Sequence, residues 1–248
     1  MFKKTLIASA LLAGSSAAMA EISGNVTIAS DYIFRGVSQT DNGMAIQGGF
    51  DYAHESGIYV GTWASNVDST FFTGPRDPQI ELDLYAGFAG EMGNGIGYDV
   101  GILRYEYPGA KFAPGDPIDS PATTELYVKG SMAGATVSLS YADELAFVAS
   151  TESAWYLAAD YEMSLPQDFG LALHVGYNFG DAYDVGPTAP ANVWGWPDSY
   201  TDWSVGITKS IYGVDLGLTY TDSDGDDPNT MFGDVADSHI VFSVSKSL

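Results

Sequence analysis

Phe169-Gly170-Leu171-Ala172-Leu173-His174-Val175-Gly176-Tyr177-Asn178-Phe179 carries every large apolar side chain on an odd position and every small or polar one on an even position. Side chains along a strand point alternately to its two faces, so this stretch reads as a β-strand with one apolar face and one polar face. Its length suits a tilted strand crossing a bilayer, which needs about ten residues. The same alternation recurs on both sides of it. Trp155, Leu157, Tyr161 and Met163 oppose Tyr156, Asp160 and Glu162, and Ile80, Leu82, Leu84 and Phe88 oppose Glu81, Asp83 and Tyr85. Near the start, Val26, Ile28, Tyr32 and Phe34 oppose Thr27, Asp31 and Arg35.

Followed along the chain, this period predicts twelve strands: 23–36, 44–54, 58–67, 79–91, 95–107, 123–133, 134–143, 153–164, 168–180, 199–210, 213–222 and 237–248. The connections between them alternate in length. His54-Glu55-Ser56-Gly57, Met92-Gly93-Asn94-Gly95, Ala133-Gly134, Leu165-Pro166-Gln167 and Ser210-Ile211-Tyr212 are tight turns rich in turn-forming residues. Long connections fall at 37–43, 68–78, 108–122, 144–152, 181–198 and 223–236. Short turns at one rim and long loops at the other are the habit of outer-membrane barrels, whose turns are periplasmic. An even strand count brings both termini to that periplasmic rim.

A soluble barrel would turn its apolar faces inward. Twelve strands enclose more space than side chains can fill, so that arrangement leaves a void, whereas apolar-out in lipid does not. Closure also satisfies every backbone polar group without an edge. The expected fold is therefore all-β, a transmembrane antiparallel up-and-down barrel. Ile240, Phe242, Val244 and Leu248 alternate to the last residue, resembling the terminal signal read by the outer-membrane assembly machinery, although Leu248 stands in place of the usual Phe and Lys246 interrupts the apolar face.

Composition agrees. Lys3 and Lys4 precede an apolar stretch from Leu6 to Ala13 and the small-residue exit Ala18-Met19-Ala20, which reads as a secretory leader over 1–20 cleaved after Ala20, with the barrel over 21–248. A membrane anchor is the alternative, but this apolar core is too short for one. All 32 acidic residues lie beyond the leader, against seven remaining basic ones, so a nucleic-acid partner is not expected. The chain has no cysteine, which excludes a disulfide framework and a thiolate zinc site. No cofactor is expected.

The motifs Ile28-Ala29-Ser30-Asp31-Tyr32-Ile33-Phe34-Arg35-Gly36-Val37-Ser38-Gln39-Thr40, Gln47-Gly48-Gly49-Phe50-Asp51-Tyr52, Gly61-Thr62-Trp63-Ala64-Ser65-Asn66-Val67 and Glu81-Leu82-Asp83-Leu84-Tyr85-Ala86-Gly87 resemble the TorF-family porins of proteobacteria. Tyr98-Asp99-Val100-Gly101, Tyr105-Glu106-Tyr107-Pro108-Gly109 and Glu125-Leu126-Tyr127 fit as well. The resemblance covers most of the chain and is densest in its first 130 residues. It implies an outer-membrane channel, with membrane lipids, lipopolysaccharide and the assembly machinery as partners and small solutes as cargo.

Strand parity places Asp31, Asp51, Glu81, Asp83, Asp99, Glu125, Asp160, Glu162, Asp202 and Asp215 on the inner face, with Arg35 and Lys129 as the main counter-charges. An acidic lining favours cations, so the first reading is a diffusion pore with a cation preference. In the second, these carboxylates pair with Arg35, Lys129, tyrosine hydroxyls and water to close the lumen, leaving a barrel whose acidic outer loops serve interaction or membrane integrity. Ten carboxylates against two cations favour a wetted interior.

Asp31 and Arg35, four apart on one face, are expected to meet directly or through a neighbouring strand's carboxylate, with Arg35 as a constriction or network residue; an interfacial arginine near the strand end is the alternative. Arg104, on the other parity, belongs at the outer rim or follows a bulge. Asp222, Asp224, Asp226 and Asp227 around Gly225 could wrap a hard cation, but no bidentate Glu follows, so a solvated loop is the stronger reading. Val193-Trp194-Gly195-Trp196-Pro197 reads as an interfacial belt or loop packing rather than a sugar platform.

An outer-membrane lipase would need nucleophile, base and orienting group together on the barrel wall. His54 and Ser56 sit in a predicted turn, His174 faces the lumen with Gly176 two residues on, and His239 starts the last strand, so no enzyme is expected.

Overall fold

A computed structural model describes residues 20–68, 78–111, 120–146, 150–183, 199–225 and 233–248. The proposed leader, apart from Ala20, and the Val193–Pro197 motif lie outside the described residues. The strands are β1 (Glu21–Ala29), β2 (Ile33–Phe34), β3 (Val37–Ser38), β4 (Ala45–Ala53), β5 (Ile58–Asn66), β6 (Ile80–Glu91), β7 (Gly97–Glu106), β8 (Thr123–Met132), β9 (Ala135–Ala142), β10 (Ala154–Leu165), β11 (Phe169–Phe179), β12 (Ser199–Ile211), β13 (Val214–Ser223) and β14 (His239–Ser247). β1 and β4 to β14 form one closed antiparallel barrel of twelve strands, each paired with its neighbours in sequence. The ring closes where Asn25 to Ala29 of β1 pair with Ser247 to Ser243 of β14. Closure leaves no strand edge unpaired.

Alternation runs as the sequence requires. Phe242, 62% exposed, and Ile240 point outward, whereas Val241 between them is 7% exposed and faces the lumen. Ile22, Phe50, Leu126 and Val137 belong to the same exposed outer surface. Lys246 ends the outer row by donating to the Gly213 carbonyl at 2.8 Å. Short turns link β4 to β5, β6 to β7, β8 to β9, β10 to β11 and β12 to β13, and both described chain ends lie at that rim.

Strand one departs from the sequence expectation. β1 stops at Ala29, and residues 30–44 fold into the barrel mouth instead of continuing the wall to residue 36. Within them Ile33 and Phe34 pair with Ser38 and Val37 across a two-residue turn at Arg35 (φ 48°) and Gly36 (φ 78°). Two consecutive left-handed residues make the tight hairpin turn that matches strand twist. The hairpin is itself extended, so its alternation merged with that of β1 in the one-dimensional pattern. Tyr32, 3% exposed, consequently shares no face with the exposed Val26 and Ile28.

The inserted segment fills the loop-side mouth with two apolar clusters. One joins Tyr32, Ile33 and Phe34 to Trp63, Val67, Tyr105 and Tyr107. The other joins Val37 to Leu145, Tyr183, Tyr200 and Val235. The barrel thus has a packed end and, towards the short turns, a polar end.

Candidate functional site in the lumen

At the tip of the inserted hairpin, Arg35 reaches across to β8. Its Nη2 donates to both carboxylate oxygens of Glu125 at 2.8 Å, and its guanidinium lies 4.8 Å from the Phe34 ring centre and 4.1 Å from that of Tyr156. Burial, the largest influence, opposes the charge, but Glu125 and the neighbouring Tyr105, Tyr183 and Tyr156 together more than offset it, so the guanidinium stays protonated. A Cβ on Gly36 would stand 2.8 Å from the Cβ atoms of both Asp202 and Ser223, so only glycine lets the hairpin press on the β12–β13 wall. The segment therefore spans the lumen from β8 to β12.

Asp31 and Arg35 do not meet as expected, because neither sits on a barrel strand. Asp31 Oδ1 accepts from Ser38 Oγ at 2.6 Å and Thr40 Oγ1 at 2.8 Å, fixing the base of the inserted loop, and its Oδ2 lies 3.6 Å from His239 Nδ1. Arg35 is held by the carboxylate of Glu125 on β8.

The remaining carboxylates stand on the inner wall, and tyrosines answer most of them. Glu81 accepts from Tyr32 and Tyr107, both at 2.8 Å. Asp99 accepts from Tyr59 at 2.6 Å, Asp51 from Tyr85 at 2.5 Å, and Glu125 from Tyr105 at 3.2 Å. The Tyr59 and Tyr127 hydroxyls also meet. Glycines make this possible. Tyr59 faces Gly87 and Gly61 faces Tyr85 in one register, and a Cβ at Gly87 would fall 2.3 Å from the Tyr59 hydroxyl, one at Gly61 2.2 Å from the Tyr85 ring. Each ring lies flat over a glycine of the next strand, which aims its hydroxyl along the wall at a carboxylate.

On the opposite arc, Asp202 accepts from Tyr156 at 3.1 Å, His174 Nε2 at 3.0 Å and Asn178 at 3.2 Å, while His174 Nδ1 meets Asp160 at 2.7 Å. A histidine held between two carboxylates is a third counter-charge beside Arg35 and Lys129 when protonated. Lys129 pairs across the sheet with Asp99, its ammonium 4.9 Å from the Tyr127 ring centre. Glu162 stands one inward position beyond Asp160 towards the turns, and Asp215 accepts from Ser210 near the turn rim. In the sequence, tyrosine hydroxyls read as partners and His174 as turned to the lumen, but neither is paired there with a particular acid. They share the parity of the acids they serve, and that was the available signal.

Other residues fall outside this network. Asp222 points outward beside Tyr220, whose hydroxyl donates to it at 3.2 Å. Asp224 accepts from the Thr201 amide at 2.5 Å. Asp226 and Asp227 lie outside the described residues. Among the described residues no three His, Asp or Glu side chains converge as a metal cage. Arg104 sits on the outer wall without a bulge, paired with Glu106 at 2.8 Å and donating to Thr124 at 2.9 Å. His54 meets Ser56 at 2.9 Å in the exposed β4–β5 turn, with no carboxylate bonded to the ring among the described residues.

Residues 13–248 match the model of a family described as "Bacterial protein of unknown function (Gcw_chp)". The chain belongs to the Gcw_chp family. A search of curated proteins finds no match. Among solved structures, this Gcw_chp barrel is similar to the NanC porin, at 9% identity and a TM-score of 0.50, over 91% of this chain and 98% of that one. It is more loosely similar to the outer-membrane channel DcaP of Acinetobacter baumannii (15% identity, TM-score 0.43, covering 87% and 65%) and to LpxR from Salmonella typhimurium (10%, 0.44, 91% and 99%). At these identities the likeness concerns the fold, a porin-like closed barrel.

Proposed function

We propose that this Gcw_chp barrel is an outer-membrane channel for passive diffusion of small hydrophilic solutes, with a preference for cations. The observation that carries the reading is the polarity of a closed barrel turned inside out, with Ile240, Phe242 and Leu126 exposed outside and Glu81, Asp83, Asp99, Glu125 and Asp202 inside. Such a surface suits lipid, and such a lining attracts cations. The TorF resemblance and the NanC-like fold support it. On this reading the short turns and both chain ends face the periplasm, the outer wall meets phospholipid and lipopolysaccharide, and Arg35 with Glu125 narrows the passage. Insertion would use the assembly machinery.

A second reading has its own support. The inserted segment and its two apolar clusters pack the loop-side mouth, as a closed barrel with acidic surface loops would require. Planar-bilayer recording of purified protein under a salt gradient separates the two. Conductance with a cation-directed reversal potential is expected, and silence would leave the closed barrel standing.

A further inference from the structure

Asp83 is the one lumen carboxylate in the packed half with no hydrogen-bond donor among the described residues. It lies on the inner face of β6, is 8% exposed, and its Oδ1 is buried without a partner. Its neighbours are all answered: Glu81 by Tyr32 and Tyr107, Glu125 by Arg35 and Tyr105. A buried anion without a donor is strongly disfavoured, so such a carboxyl takes up a proton unless a cation joins it.

The charges acting on Asp83 are Glu81 and Glu125, both of its own sign. Arg35, the guanidinium in this half, is committed to Glu125 by both carboxylate oxygens. Three carboxylates thus share one cation; of the two left over, Glu81 is met by two tyrosine hydroxyls and Asp83 by no donor among the described residues. A chelated divalent ion needs six or more converging oxygens, and the described residues form no such cage. What flanks Asp83 is aromatic: Trp63 on β5 and Tyr105 on β7 are its direct cross-strand partners on either side. Cross-strand neighbours lie close enough to act on one bound group, and aromatic faces favour weakly hydrated cations such as ammonium over small hard ions. Towards the turn rim, Asp99, whose Oδ2 is also unpartnered, and Asp51 continue the row of carboxylates as a path of entry.

We propose that Asp83 is the anchor of a subsite for a small ammonium-type monovalent cation, with Trp63 and Tyr105 as its aromatic flanks and Glu81 and Glu125 supplying the surrounding negative field. This deepens the channel reading, on which it rests, by naming a solute class. Because Tyr32, Phe34 and Arg35 of the inserted hairpin bond or stack with Glu81, Tyr105 and Glu125, the occupant would sit directly beneath the constriction.

The test is calorimetric titration of detergent-purified protein with methylammonium chloride against sodium chloride at equal ionic strength, for the native chain and for Asp83→Asn, with planar-bilayer recording alongside. Saturable methylammonium binding that weakens tenfold or more in Asp83→Asn is expected. Equal binding by that variant, or sodium bound as tightly as methylammonium, would overturn the subsite. Trp63→Leu keeps every carboxylate and gives a second arm should Asp83→Asn fail to fold: a severalfold loss of methylammonium affinity is expected, and none would overturn the proposal. Asp83-dependent binding in a barrel that conducts nothing would sink the channel reading and leave the subsite; conductance without such binding would do the reverse.

Discussion

The two arcs of the lumen wall are built on different principles. From β5 to β8 the inner face alternates acids with rings: Glu81, Asp83, Asp99 and Glu125 among Tyr59, Tyr85, Tyr105 and Tyr127. From β12 through β14 to β1, below Asp202, it carries Ser204, Thr208, Thr219, Thr221, Ser243, Ser245, Asn25 and Thr27, with Asp215 at the turn rim. On the hydroxyl arc, bonds are short and local, as between Thr27 and Ser245 at 2.8 Å or Thr221 and the Trp203 carbonyl at 3.1 Å. On the acidic arc they link distant strands and the inserted hairpin. On the proposed channel reading, charge concentrated on one side, and answered from a loop, makes that side the one able to select solutes. Short hydroxyl side chains opposite keep width.

If the acidic arc depends on its loop, Arg35→Met should give the largest effect. It leaves Glu125 buried without its counter-ion, which costs about 3–5 kcal/mol. Urea unfolding of the detergent-folded barrel, followed by heat-modifiable gel migration, measures the loss; a change below about 1 kcal/mol would mean the latch contributes nothing special. A rise in single-channel conductance should accompany it.

The close approach of rings to backbone supplies a sharper contrast. Gly87→Ala puts a methyl 2.3 Å from the Tyr59 hydroxyl and 2.6 Å from the Val100 carbonyl, and overpacking of this kind costs about 1–3 kcal/mol. Gly206→Ala on the hydroxyl arc meets only Thr219 Oγ1 at 3.0 Å, a side chain able to turn, so a shift within about 0.5 kcal/mol is expected by the same unfolding measurement. Equal effects would erase the distinction between the arcs.

Single hydrogen bonds come next. Tyr59→Phe removes the donor to Asp99 and should cost about 1–3 kcal/mol, because it strips a buried carboxylate. Thr27→Val, which swaps one exchangeable hydroxyl on the opposite arc for a methyl, should cost about 0.5–1 kcal/mol. Thermal midpoints of the two variants, measured side by side, should preserve that order.

Much of this was legible beforehand. Every barrel strand after the first falls within two residues of its sequence-derived bounds, because lipid outside and polar lumen inside impose a strict period of two. The acids at Asp51, Glu81, Asp83, Asp99, Glu125, Asp160, Glu162, Asp202 and Asp215 take the inner face for the same reason. Asp31 and Arg35 were misplaced onto a strand because extended backbone in a barrel wall and in an inserted hairpin give one and the same alternation. Tyrosine hydroxyls were legible as possible partners of these acids, but which tyrosine meets which acid was not, since that depends on cross-strand register.

The sequence by itself determined the period, the strand number and the sign of the lining, since each follows from local alternation repeated along the chain. Only the tertiary structure decided where the chain leaves the wall and which donor meets which acid. Those depend on cross-strand register and on a loop crossing the lumen, where Arg35 finds Glu125 ninety positions away and Asp83 is left between two carboxylates. Such partners are brought together by barrel closure, and closure leaves no mark in any single stretch of sequence.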